Sequence, residues 1–211
     1  MFTRKSLAID HFKEYATIYI FMIILFLTGI IFGAVIVNSM NFVQKQDLFF
    51  YLERFFGRIV DGQTIEHMEI LKSSFFYYVK YILLFFILGL SVIGMPIIWI
   101  LIFVKGLSIG FTVGFIVNQL GMKGLLLASI AVVPQNLLII PIYIVASSLA
   151  MIFSLTLLKR IFTRNVSRSI RNPFIAYATT FFILLCTCFP ASVLEAFVAN
   201  EAIKMFVKSI Y

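Results

Sequence analysis

Few side chains in this chain could do covalent or metal chemistry, and their spacing works against them. Cys186 and Cys188 stand two apart in FFILLCTCFP; on a helix such positions point about 200° apart, so the thiols neither bridge nor share a metal. They read as small buried groups. His11 and His67 lie in different segments, and neither has a second ligand at zinc-like spacing, which makes both surface or interfacial residues. No acidic pair, and no serine with a base nearby, marks a catalytic set. The expectation is no catalytic residue, no metal and no cofactor. The deep parts of the apolar runs also read as free of Asp and Glu, so the titratable relay of a proton-coupled carrier is not expected. What remains is amide chemistry in AVVPQNLLIIPIY, residues 131–143, where Pro134 and Pro141 flank Gln135 and Asn136. A proline lacks an N–H and disturbs the carbonyl one turn back, and Gln135 and Asn136 can hydrogen-bond the backbone groups so freed. Asn118 and Gln119, near the end of the preceding segment, are the expected partners across a hairpin.

The elements that must position these groups follow from composition. Hydrophobic residues make up 62% of the 211, charged residues 12%, and the mean hydropathy is +1.07. An ordinary soluble domain is about half apolar and a quarter charged. The chain is therefore an all-α integral membrane protein, a single polytopic domain over 1–211 with no room for a soluble catalytic unit. Its net charge of +8 lies between apolar segments, where orientation and anionic headgroups account for it, so nucleic acid is not an expected partner.

Five crossings are expected, at about 15–37, 75–104, 106–120, 125–158 and 174–193. The second is long enough to require a tilt or a kink at Pro96, and the fourth is broken near 134–141. The third is short and glycine-rich. Gly106, Gly110 and Gly114 recur every fourth residue, which places them on one face and permits close backbone approach. Gly29 and Gly33 repeat the pattern in the first crossing, so the two faces are candidates to meet. A homodimer seam is the alternative.

Two amphipathic stretches lie outside the crossings. Segment 39–74 is the longest polar one, and in QDLFFYLERFFGRI it carries Leu48, Leu52, Phe55, Phe56 and Ile59 at helical spacing. The tail 194–208 carries Leu194, Phe197, Val198, Ala202, Met205 and Phe206 on one stripe, with Glu195 elsewhere. Seating on membrane lipid is one role for such faces, and a partner interface through Leu48, Leu52, Phe55, Phe56, Phe197, Met205 and Phe206 is the other. Lys159, Arg160, Arg164, Arg168 and Arg171 form a basic loop without an acid. With Arg4, Lys5, Lys13 and Lys105 they place the amino terminus and that loop in the cytoplasm, and both amphipathic stretches and the carboxyl terminus outside.

IYIFMIILFLTGIIFGAVIVNSM, then QKQDLFFYLERFF, GLSIGFTVGFIVNQLG and VVPQNLLIIP, together resemble the stage II sporulation protein M family of endospore-forming bacteria. The resemblance runs over essentially the whole chain. In the broader family the proline of the broken helix is often followed by His-Gly and then an acid, where this chain has Gln135 and Asn136. The resemblance implies a non-enzymatic scaffold in the cell membrane at the sporulation septum. Its implied partners are stage II sporulation proteins P and D, peptidoglycan hydrolases that act in forespore engulfment. A small-solute channel or carrier built around the broken helix is the alternative function.

Overall fold

The computed structural model describes residues 13–60, 67–163, 171–199, 201 and 203–205. They form six α-helices and a π-helical segment, with no strand among them. The helices are α1 (Ala16–Ser39), α2 (Phe42–Val60), α3 (His67–Gly89), α4 (Gly94–Ala131), α5 (Val133–Thr163) and α6 (Arg171–Val193). The π segment, Leu194–Ala199, continues α6. All but α2 belong to the five stretches long and apolar enough to cross a membrane, so this is an all-α integral membrane protein.

Pair contacts fix the helix directions. Gly106, Gly110 and Gly114 of α4 face Phe26, Ile30 and Ala34 of α1 in rising order, so these two helices run parallel. Gly89 of α3 faces Ala150 of α5, and the Ser154 hydroxyl donates to the Ser91 carbonyl just beyond α3, which makes α3 and α5 parallel too. Phe75 meets Phe189 while Phe86 meets Tyr177, so α6 opposes α3. Lys13, the 90–93 turn, Lys159, Arg160 and Arg171 thus share one end of the bundle. Helix α2 lies at the other. The core joins Met22 and Phe26 of α1 to Ile82 and Phe85 of α3, Ile98 and Ile102 of α4, Tyr143 and Ala146 of α5, and Phe181 and Cys188 of α6.

The crossings differ from the expected boundaries in three places. No single helix runs over 75–104: α3 ends at Gly89, the chain turns through Leu90–Ile93, and α4 starts at Gly94. Pro96 stands in the first turn of α4, where its missing N–H has no helical acceptor, so it starts a helix rather than kinking one. The glycine-rich stretch is not a separate short helix but the middle of α4. That helix is interrupted at Gly121, whose φ of 56° and ψ of −132° only glycine adopts readily. A short arm, 122–131, follows. The next break falls at Val132, before Pro134, and Pro141 sits inside a continuous α5.

Helix α2 packs on that arm. Phe56, 6% exposed, joins Leu127 and Ala131, with Leu52, Ile116 and Ile203 at the edge. A buried Phe56 is therefore not a free contact for a partner, contrary to the expectation from its position on the amphipathic stripe. Leu48 is half-buried, whereas Phe50 and Tyr51 on the opposite face are 52% and 72% exposed. His11, Phe206 and the side chain of Phe55 lie outside the described residues.

Candidate functional site

Because α4 begins at Gly94, Lys105 does not reach an interface as the expected boundaries required. It lies eleven residues into the helix, about 16 Å along the axis, level with the middle of α1, where Gly29 packs against Phe103 and Leu107. Its side chain is 7% exposed. Three tyrosines from two neighbouring helices enclose the ammonium. Lys105 Nζ donates to the Tyr77 hydroxyl at 2.6 Å. It lies 3.5 Å from the ring centre of Tyr81, 4.1 Å from that of Tyr77 and 5.2 Å from that of Tyr143. An ammonium over π faces recovers part of the hydration it lost, and a hydroxyl acceptor supplies more.

The carboxylate counterpart comes from the tail. In the sequence Glu195 falls on the polar side of an amphipathic surface helix, beyond the last expected crossing. The π segment instead carries Glu195 inward, where it accepts a hydrogen bond of 2.5 Å from Tyr78, the residue beside Tyr77. Ala196 and Ala199 are buried on the same segment, which touches α3, α4, α5 and α6 and closes the end of the bundle opposite Lys159 and Arg171. Lys105 and Glu195 therefore bond neighbouring tyrosines of α3 without forming a direct ion pair.

A file of polar groups continues down α5: Tyr143, Ser147, Ser148 and Ser154 are all buried. Ser147 bonds the Ile144 carbonyl and Ser154 the Ser91 carbonyl. The hydroxyls of Tyr143 and Ser148, and Oε1 of Gln135 near the start of α5, have no partner.

The broken-helix amides divide. Asn136 donates from Nδ2 to the Val132 carbonyl at 2.7 Å, capping a backbone group freed at the break. Asn118 is exposed and Gln119 half-buried, and neither bonds Gln135 or Asn136. His67 is not an isolated surface residue: Nδ1 contacts the Ala196 carbonyl at 2.8 Å, Nε2 lies 3.3 Å from Glu201, and the ring stacks on Phe197. Cys186 is exposed and Cys188 buried, on different faces of α6. Phe197 and Met205 remain exposed. Among the described residues no His, Cys, Asp and Glu group of metal-binding size occurs. Lys105 was missed for want of the turn at 90–93, although the YYVKY run, with its tyrosines one and four residues apart, was a readable sign of a polar face.

Parallel glycine-paired helices, a broken arm and a charged interior closed by a π turn define a polytopic membrane protein. Residues 22–200 match the family described as stage II sporulation protein M, and the chain belongs to that family. Membership gives it a role in sporulation. No curated protein and no solved structure matches the chain.

Proposed function

We propose that the protein is a non-enzymatic scaffold of the sporulation septum, which localises and anchors peptidoglycan hydrolases during forespore engulfment. Its partners in this reading are stage II sporulation proteins P and D. The observation that carries it is the outer face of α2. There Asp47, Phe50, Tyr51 and Arg54 line an open depression of about 560 Å³, at the end of the bundle away from Lys159, Arg160 and Arg171. Aromatic and arginine side chains side by side are the usual anchors of a protein contact. The glycine faces of α1 and α4 are occupied by each other within one chain.

The charge distribution supports an amino terminus in the cytoplasm and a carboxyl terminus outside. In a variant without native cysteines, a cysteine at Asn41 is expected to react with an impermeant reagent on intact cells, and one at Asn172 only after lysis. Labelling of position 172 from outside would overturn this orientation.

Replacing Phe50 and Tyr51 together by serine is expected to reduce co-purification of the P-type hydrolase at least several-fold at equal membrane level, since both rings are exposed and their loss leaves the Phe56 packing intact. Undiminished capture would remove α2 as the docking face. The protein alone should release no muropeptides from peptidoglycan. A second reading, a small-solute channel or carrier at the broken helix, draws on the unpaired Gln135 Oε1; solute flux in proteoliposomes separates it from the scaffold.

A further inference from the structure

An ionisable side chain in the middle of a membrane is costly, and where it occurs it pairs with an opposite charge or moves protons and ions. Lys105 has an opposite charge bonded to a neighbouring tyrosine and does not pair with it. The Glu195 carboxylate is held by the hydroxyl of Tyr78, while the ammonium is held by the hydroxyl of Tyr77, its neighbour on α3. A purely structural ion pair gains most by closing directly. Here the Tyr77 hydroxyl also bonds Tyr81, so a cluster of hydroxyls holds both the base and the acid, and a hydroxyl can accept one proton while giving up another.

Two further observations point the same way. The Tyr143 hydroxyl, on a residue 2% exposed whose ring borders the ammonium, lacks a partner, as does the fully buried Ser148 hydroxyl. Buried polar atoms in native proteins are satisfied, and water is the usual third party where the surroundings are polar. These atoms extend the tyrosine layer toward Ser154 and the Ser91 carbonyl at the basic end of the bundle. Glu195 lies at the other end, below the turn that His67 contacts through Ala196.

We propose that Lys105, Tyr77, Tyr81, Tyr78 and Glu195 form an intramembrane proton relay, continued through water by Tyr143 and the α5 serines, so that the bundle passes protons between the two faces of the membrane. The ammonium gives a proton to the Tyr77 oxygen as the Tyr77 hydroxyl passes its own proton to Tyr81, to which it is hydrogen-bonded, and Tyr81 passes one, through water, to the Tyr78 oxygen. Tyr78 gives its own proton to the Glu195 carboxylate. Lys105 is left as the neutral amine and Glu195 as the carboxylic acid, with all three tyrosines unchanged and no electron transferred. Glu195 then releases its proton to the outer phase, and the amine is reprotonated through the serine file from the inner phase. The titratable groups facing the relay are Tyr77, Tyr78 and Tyr81 on α3, Tyr143 on α5, and Cys188 on α6; His67 and Glu201 stand beyond the outer turn.

The test uses the full-length protein in vesicles carrying a pH-sensitive dye, with a potassium gradient and valinomycin to set the voltage. The wild type is expected to carry protons several-fold faster than protein-free vesicles, and Lys105→Met and Glu195→Gln to return the rate to that of the lipid. Phe50 and Tyr51 changed to serine should keep the full rate, which separates this activity from docking. A wild-type rate equal to that of empty vesicles would overturn the relay whatever the variants do. So would a rate that survives Lys105→Met, or one that vanishes when gluconate replaces chloride, since the moving ion would then be the anion.

Discussion

Changing Gly110 to leucine is expected to detach α1 from the bundle and to cause the largest loss of stability of any single substitution considered. A Cβ built at Gly110 overlaps the Ile30 carbonyl oxygen and falls 2.7 Å from both the carbonyl carbon and Cα of that residue. All three are backbone atoms, so no side chain can turn aside. Overpacking of a tight core typically costs about 1–3 kcal/mol, and here the whole helix must move, so the loss belongs at or above the top of that range. Gly57 supplies the contrast. A Cβ there meets nothing within 4 Å, on the exposed face of α2. Gly57→Ala should raise stability by about 0.5–1 kcal/mol through helix propensity alone. Thermal unfolding in detergent checks both, and a Gly110→Leu protein with an unchanged transition would remove the seam.

The second large effect concerns Tyr78. Its hydroxyl is the one partner the structure gives the Glu195 carboxylate, and a hydrogen bond to a charged group is worth about 1.5–3 kcal/mol. Tyr78→Phe should cost about 2 kcal/mol on that scale, because it leaves a partly buried carboxylate without its phenol donor. Glu195→Leu alone should cost less, since the phenol that remains is neutral. The double variant should lose clearly less than the sum of the two, as residues in direct contact do. Additive losses would mean that the pair does not interact in the membrane.

These two sites show why one part of the architecture could be read from the sequence and another could not. The glycine seam rests on a repeat of four within one helix, and such a pattern survives any uncertainty about where the helix starts. Lys105 depends on a boundary. In the run from Phe75 to Val104 the turn at Leu90–Ile93 is made of apolar residues and one serine, so hydropathy passes straight over it. Moving that boundary carries the lysine from an interface to the centre of the bundle. Glu195 was hidden by a change of period. The count of 3.6 residues per turn puts it on the outside of a tail helix, but the wider π turn after Pro190 rotates it inward. The proline at 190 cannot donate to a preceding carbonyl, which is a local cause for the change that hydropathy does not register. Phe56 illustrates a third limit. An amphipathic stripe says that a face will be covered, and only the break at Gly121, with the arm that follows it, says by what.

The parallel pairing of α1 with α4 also orders the making of the protein. A chain enters the membrane from its amino terminus at roughly 5–20 residues per second. The glycine face of α1 therefore stands in lipid, unmatched, while α2 and α3 are still being synthesised, and it closes only when Gly106 and Gly110 arrive opposite Phe26 and Ile30. On that timescale the interval lasts several seconds. During it, Gly29 and Gly33 offer the same close-approach surface to any other newly inserted helix, including the first helix of another nascent chain. Correct assembly is thus a race between completing α4 and meeting a neighbour.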